Sequence, residues 1–383
     1  MRIADDIRYV GVNDHELDLF EGLYPIPQGV SYNSYVIMDE KIAVLDAVDA
    51  HCGTIWLDNV REALNGRHPD FLIVHHMEPD HSASIALFMD AFPAAVIVSS
   101  QKAFPMMKAF FGADYADRRI VVKEDDVLCL GQHSLSFIAA PMVHWPEVIM
   151  TLDQTAQILF TADAFGKFGA LDVDAEWANE ARRYYFGIVG KYGAQVQSVL
   201  KKVAAAEVRT ICPLHGPVLE GPQLAEALRL YSLWSSCQAE EEGVVIAHAS
   251  VYGNTRAAAE RLADSLRQRG VKVILYDLTR CDISAAAASA FRFDRLVLAA
   301  ATYNADVFPP MRNFVTWLTE RGYKNRTIGL IENGSWAPMA AKVMRSMLEN
   351  SKDVTILEQV ATIRSALNDD STAQLSALAD ALA

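Results

Sequence analysis

Nothing in this 383-residue chain reads CxxC. Its five cysteines, Cys52, Cys129, Cys212, Cys237 and Cys281, are odd in number and scattered. That points to reduced thiols in a cytoplasm and rules out a built-in thiolate metal site. No apolar run reaches 18 residues, and the opening MRIADDIRYV lacks the apolar stretch of a signal peptide, so neither a membrane span nor export is expected. Basic charge is also short: 34 Lys and Arg stand against 48 Asp and Glu, a net −14. Phosphate backbones are bound by basic faces, so nucleic acid is not an expected partner. Internal repeats and low-complexity segments are missing as well.

What is present is enough apolar material for full cores, 51% of residues, in a chain long enough for two or three domains. Two kinds of patterning divide it. Up to about residue 235, short Val/Ile-rich runs such as SYVIM, KIAVLDAV, FLIVHH, AAVIVSS, RIVVK and SLSFIAAPM read as strands, with IWLDNVREAL as a helix between them. Near SSCQAEEEG, residues 235–243, the apolar pattern lapses into a short acidic stretch that reads as a linker. Beyond it VVIAHAS, KVILYDL, DRLVLAAA and RTIGLIE alternate with helical segments. Five strands, each followed by a helix, predict a doubly wound parallel sheet covered on both faces. The expected domains are 1–240 and 243–383.

The densest chemistry lies in HHMEPDHSAS, residues 75–84. FLIVHH is a buried strand that runs into a loop bent by Pro79, so side chains there are held by a backbone the core fixes. Strand alternation turns His75 and His76 to opposite faces, and only one of them faces a metal. The spacing His76-x-Glu78-x-Asp80-His81 gathers four donors in six residues. Of the ten histidines, His144 (in IAAPMVHWPE) and His215 (in TICPLHGPV) share this strand-end setting, as does Asp163 in ILFTADAFG. His15, His51, His68 and His133 lie in polar or helical surroundings. His75, His248 and His51 read as structural, His75 with room for a hydrogen bond behind the site.

In the second half, Ser250, Val251, Tyr252, Gly253, Asn254 and Thr255 form a small polar loop between a strand and a helix. Orphan amides and the helix dipole there suit a phosphate monoester. The loop lacks GxGxxG, which disfavours a dinucleotide, and lacks GxxxxGK[ST], which excludes a P-loop. Two later loops fall at the ends of the third and fourth strands, where a sheet of this type binds a ring system. They carry Thr302, Tyr303 and Asn304, then Asn333, Gly334, Ser335 and Trp336. Trp336 suits either the edge of a bound ring or a core anchor.

HxxxDH followed by distant His, Asp and His resembles the metallo-β-lactamase superfamily. The Glu-for-His variant HxExDH, joined to a flavodoxin-like half, resembles the flavodiiron proteins, and the likeness covers nearly the whole chain. It implies an N-terminal αββα sandwich with two metals between two β-sheets, and a C-terminal flavodoxin-like domain. Carried over residue by residue, one iron takes His76, Glu78 and His144. The second takes Asp80, His81 and His215, with Asp163 bridging. FMN sits on Ser250–Thr255, Thr302–Asn304 and Asn333–Trp336, although alanine replaces the commoner Ser-Pro before Thr302. The implied activity is reduction of dioxygen to water, of nitric oxide to nitrous oxide, or both. With no CxxC pair or nicotinamide domain after residue 383, the implied electron donor is a separate small carrier such as rubredoxin. The implied assembly is a head-to-tail homodimer or dimer of dimers. Glu147, just beyond His144 and Trp145, is a candidate proton donor whose plainer identity is a solvated surface acid.

The physical chemistry of Glu78 agrees with iron. Carboxylate oxygen is a harder donor than imidazole, and mixed His/carboxylate shells suit an ion that changes charge. Three carboxylates, together with one or two oxygen bridges, keep both redox states near neutrality in a low-dielectric pocket. A zinc hydrolase fused to a flavodoxin-like module is the alternative. It needs only a bound water of lowered pKa, and histidine is the usual residue at position 78.

Overall fold

The computed structural model describes residues 3–383; Met1 and Arg2, the start of the expected first domain, lie outside the described residues. The chain divides into two compact units that meet between Ser232 and Leu233.

In the first unit, Val/Ile-rich runs pair into two mixed six-stranded sheets. One runs, in spatial order, Ile7–Tyr9, Tyr35–Met38, Ile42–Leu45, Phe71–Ile73, Val96–Ser100 and Arg119–Val122. The other runs Val127–Cys129, Ser134–Ala139, Ile149–Asp153, Ile158–Phe160, Thr210–Cys212 and Leu219–Glu220. Inward residues of both, among them Ile37, Leu45, Ile73 and Val98 from the first and Leu135, Phe137, Ile149 and Phe160 from the second, form one buried cluster. Face-to-face packing of this kind makes a sandwich. Ile42–Leu45 is buried along its whole length, as a strand with cover on both faces must be. Beside it, the helix Gly53–Leu64 packs against Tyr35–Met38, buries Trp56, Leu57, Val60 and Leu64 at helical spacing and stops at Asn65 in the left-handed region.

Strand direction decides where the loops gather. Ile42–Leu45, Phe71–Ile73 and Val96–Ser100 are parallel neighbours. Ser134–Ala139 and Ile158–Phe160 are both antiparallel to Ile149–Asp153, and Thr210–Cys212 is parallel to Ile158–Phe160. The carboxyl ends of Ser134–Ala139, Ile158–Phe160 and Thr210–Cys212 therefore open on one edge of their sheet. Asp163, His144 and His215 all follow such ends.

The second unit is a parallel sheet in the order Val273–Asp277, Glu241–Ala249, Phe293–Tyr303, Arg326–Asn333 and Val354–Ile363. This is the doubly wound order in which the first strand lies between the second and third, placing a crevice at the ends of the first and third strands. Helices Asn254–Gln268 and Asp369–Leu382 pack Leu262, Leu266, Leu375 and Leu378 against the sheet. A capping box between Asn368 and Ser371 starts the last helix. A short antiparallel arm, Asp306–Val307, folds back on Thr302 and Tyr303 and was not expected.

The expected linker is mostly structured. Helix Gly221–Ser236 runs into it, and strand Glu241–Ala249 begins inside it. Two of its three acids are engaged: Glu241 pairs with Lys272 and Arg292, and Glu240 accepts from Trp234 Nε1 at 2.6 Å. Charges at a strand's edge broke the apolar pattern without breaking the fold. The first unit ends at Ser232, inside that helix, rather than at residue 240.

Candidate metal centre and flavin cavity

The loop after Phe71–Ile73 sends His75 and His76 apart. His75 turns inward, hydrogen-bonds Asp46 through Nδ1, and reaches Thr151 through Nε2 at 2.7 Å. His76 faces the other way, into the cluster. Pro79 opens the short helix Pro79–Ser82, which carries Asp80 and His81 on adjacent positions of one turn. Non-glycine residues with positive φ recur at these loops: Asp46, Met142, Ala162 and Phe165. Such conformations cost on the order of 1 kcal/mol each and persist where surrounding packing imposes them.

The seven expected donors converge. His76 Nε2 lies 3.2 Å from both Glu78 Oε2 and Asp163 Oδ2, and His144 Nε2 lies 3.1 Å from the same two oxygens. On the other side, Nε2 of His81 and of His215 each lie 3.2 Å from Asp80 Oδ2, and they lie 3.0 Å from one another. Asp163 Oδ1 faces this second group, 3.1 Å from His81 and 3.7 Å from His215. One carboxylate thus presents an oxygen to each of two donor groups, His76/Glu78/His144 and Asp80/His81/His215.

Hydrogen bonds behind the rings set what the facing nitrogens are. His76 Nδ1 donates to Glu147 and His215 Nδ1 donates to the Ser31 carbonyl, both at 2.7 Å. In the neutral imidazole the inner Nε2 of each is then a lone pair aimed at carboxylate oxygen. Such an arrangement is repulsive unless a cation or an added proton lies between. Without a metal, protons take that part. Burial disfavours the His81 imidazolium, but Asp80 and Asp163 outweigh it and push His81 up to about 10. His144 is likewise raised to about 9, burial opposing and Asp163 and Glu78 prevailing. Burial would raise the Asp163 and Asp80 carboxyls, yet the surrounding histidines hold both well below the usual range. Donor–donor edges near 3 Å are what ligands roughly 2.1 Å from a shared ion leave between them. Despite these short separations, both oxygens of Asp80 and one of Asp163 make no well-aligned hydrogen bond among the described residues. The set fits two metal ions.

A third group of metal-type donors, Asp14, His51 and Cys52, behaves differently. His51 reaches Asp14 at 2.7 Å and Asp49 at 2.6 Å, ordinary hydrogen bonds that satisfy both ring nitrogens.

Several residues were missed or misread from sequence. Glu147 is not a solvated acid: it is 2% exposed and turned onto His76. His133, placed in polar surroundings, is buried between Asp153 at 2.5 Å and Asp6 at 2.9 Å. Tyr32, Tyr184 and Phe20 wall His215, with ring centroids 5.4 to 6.0 Å away. Glu21 brings a further carboxyl to Glu78. Although the residue is largely exposed, desolvation of its carboxyl and the neighbouring Glu78 raise it to about 7. Only the density of aromatics before residue 35 hinted at that wall.

The second unit holds a cavity of about 610 Å³ at its sheet's crevice, within the usual range for a cofactor. Of the expected residues, Ser250, Val251, Tyr252, Asn254, Thr255, Thr302, Tyr303, Asn304, Asn333, Gly334, Ser335 and Trp336 line it. Gly253 does not line it; its φ of +95° bends the loop into helix Asn254–Gln268, whose first residues, Asn254 and Thr255, line the cavity. Two expected binders also brace the walls. Thr302 Oγ1 accepts from Met339 and Ala340 at 2.9 and 3.2 Å, and Asn333 bonds the backbone of Ser365. Ser365 and Met339, both lining, were not foreseen. Trp336 is 89% exposed, which removes the core-anchor reading. His248 is buried in its strand, outside the cavity.

With this geometry described, the comparisons add the following. Residues 30–216 match the family model of the ODP family beta lactamase, and residues 245–362 match that of the flavodoxin domain. A nitric oxide reductase of Moorella thermoacetica is 27% identical over 94% of this chain and 92% of its own length. A diflavin flavoprotein of Synechocystis is 31% identical over 73% of this chain, which spans only 50% of that relative. Among solved structures, rubredoxin oxygen:oxidoreductase from Desulfovibrio gigas superposes with a TM-score of 0.93 at 24% identity, covering 100% of this chain and 97% of that one. The flavodiiron protein from Giardia intestinalis gives 0.91 at 24%, covering 99% and 94%. A lactamase-type sandwich with a paired donor set, continued by a flavodoxin sheet, gives this chain the two-domain flavodiiron fold.

Proposed function

We propose that the protein reduces dioxygen to water, nitric oxide to nitrous oxide, or both, at a non-haem di-iron centre fed by FMN. The observation that carries this reading is Asp163, whose two oxygens face two separate mixed His/carboxylate groups. In it, His76, Glu78 and His144 would hold one iron and Asp80, His81 and His215 the other, with Asp163 offering an oxygen to each. When bound, the irons supply reversible electron storage and open positions for a diatomic gas, and the flavin supplies electron transfer.

The chain's own residues do the rest. Glu78, Asp80 and Asp163 contribute three negative charges that offset the metals in either oxidation state. Tyr32, Tyr184 and Phe20 exclude bulk water from the His215 side. Burial, with Asp163 nearby, holds the Tyr184 hydroxyl well above its usual range, so it remains a neutral phenol. Around the flavin cavity, the amides of Asn254 and Thr255 and the hydroxyl of Ser250 would receive a phosphate without a cationic side chain. Tyr252, Tyr303 and Trp336 stand at the rim for an isoalloxazine ring.

Electrons come from a small carrier protein, with rubredoxin the proposed donor. The relative named a rubredoxin oxygen:oxidoreductase supports that choice. A head-to-tail homodimer or dimer of dimers is the proposed assembly. No helix among the described residues is long and apolar enough to cross a membrane. Five free cysteines support a cytoplasmic setting.

The test is anaerobic purification, metal and flavin analysis, then consumption of each gas by the reduced protein. Yellow protein with both irons that consumes either gas is expected. Zinc in place of iron, with hydrolysis and no gas consumption, would overturn the reading.

A further inference from the structure

Behind the cluster, the outer ring nitrogens are held unequally. His76 Nδ1 donates to Oε1 of Glu147 at 2.7 Å, and the same oxygen accepts the Met77 amide at 2.9 Å. Glu147 is itself fixed, since its backbone carbonyl accepts from Ser100 Oγ at 2.7 Å. Its second oxygen, Oε2, is buried with no partner among the described residues. No neighbouring cation therefore draws charge away from His76. His215 Nδ1 has only a neutral acceptor, the Ser31 carbonyl at 2.7 Å. His81 Nδ1 is buried and has no partner among the described residues.

A carboxylate on the outer nitrogen does two things to a ligating imidazole. It locks the tautomer and ring angle, and it pushes electron density toward the inner nitrogen, strengthening the metal bond. A backbone carbonyl does the first and little of the second. An unpartnered nitrogen does neither. The two donor groups are matched in their inner ligands, each with two histidines and one carboxylate of its own. One difference between them lies in this outer layer.

We propose that Glu147 is a positioning residue that makes the two metal positions unequal, so that the iron on His76, Glu78 and His144 is held more tightly than the iron on Asp80, His81 and His215. This rests on the two-iron reading above. It departs from the expectation that Glu147 delivers protons: its reach is to the outer nitrogen of His76, on the far side of the ring from the donors, and solvent does not touch it.

The test loads the wild type and the variants E147Q and E147D with ferrous iron without oxygen. Iron content is measured, then release to a chelator is followed, and Mössbauer spectra are recorded before release. Glutamine keeps the size and can still accept from both His76 and Met77, so a mere loop brace would tolerate it. Wild type should release iron in two phases, one slow and one fast. In E147Q the slow phase should quicken by roughly 10–100-fold, the fast phase should stay within about twofold, and one of two quadrupole doublets should move. E147D, which keeps the charge, should lie closer to wild type. Release from E147Q at wild-type rates with unmoved doublets would overturn the proposal. E147D as leaky as E147Q would overturn it too. If E147Q does not fold, E147D carries the test, with a retained slow phase expected and a lost one contradicting. Wild-type protein that takes up one iron or none would sink the two-iron reading itself, before any variant is compared.

Discussion

At the metal cluster, His76, His81 and His215 are fully buried and Asp163 nearly so, and their loops leave the ends of core strands. Around the flavin cavity, Tyr252 is 93% exposed and Trp336 89%, and the lining comes from four loops at the edge of a sheet. Both sites sit at the carboxyl ends of strands, yet one is closed before anything binds and the other is open. The contrast follows from the cargo. An ion of high charge needs several donors at fixed short range, which only a rigid core can hold ready. A flavin brings its own large apolar surface, so its site can leave walls for the cofactor to complete. Loss of metal should therefore disturb the first unit strongly, whereas flavin should exchange with little effect on its sheet.

Breaking the bridge should have the largest consequence. Asp163→Ala removes an oxygen from both donor groups, so both irons should be lost and gas consumption should fall on the order of 100-fold or more. FMN content should be unchanged; parallel iron and flavin assays on one sample check this. Glu78→His acts on a single position, weakening iron retention or shifting it toward zinc. Loading in equal iron and zinc, followed by metal analysis, reads the shift.

Acid should separate the halves again. His81, His144 and His76 gain protons readily when metal-free because their carboxylate neighbours outweigh burial. Metal uptake must therefore displace protons, and iron affinity should rise with pH and fall as pH drops toward 5. The flavin cavity has no titrating side chain in its lining apart from tyrosine. Iron content should accordingly fall before flavin content across an acid series. Equal loss of both would blur the distinction.

A structural effect outside both sites comes next. The hydrogen bond His133 donates to Asp153 raises its pKa to about 9, burial opposing and Asp6 assisting. A raised folded value means the stabilisation is full below the unfolded value of about 6.5 and is lost as pH rises through about 9. His133→Gln should cost on the order of 2 kcal/mol near pH 6 and far less above pH 9. Denaturant melts at the two pH values check the sign. The smallest effect belongs to Trp336→Ala. Losing one stacking face should weaken FMN by about 0.5–1.5 kcal/mol, measured by fluorescence titration, with iron content untouched.

The reach of the sequence follows the same division. His76, Glu78, Asp80 and His81 were readable because they lie within six residues, and His144, Asp163 and His215 because each follows an apolar run. The parallel sheet was readable from its βα alternation. What sequence could not show depends on side chains meeting across long separations. Glu147 follows a proline in a loop and looked solvated until the fold turned it onto His76. His133 found two carboxylates 20 and 127 residues away. Ser365 reached the flavin cavity from a fifth strand whose end carried no motif. Glu241 looked like linker because its cationic partners lie far along the chain.

The central claim is that one carboxylate joins two iron positions inside the first unit. Anomalous diffraction at the iron edge, from crystals of protein loaded without oxygen, tests it most directly. Two iron peaks flanking Asp163, one beside His76 and His144 and one beside His81 and His215, are expected. A single peak, or scattering at the zinc edge with none at the iron edge, would contradict it.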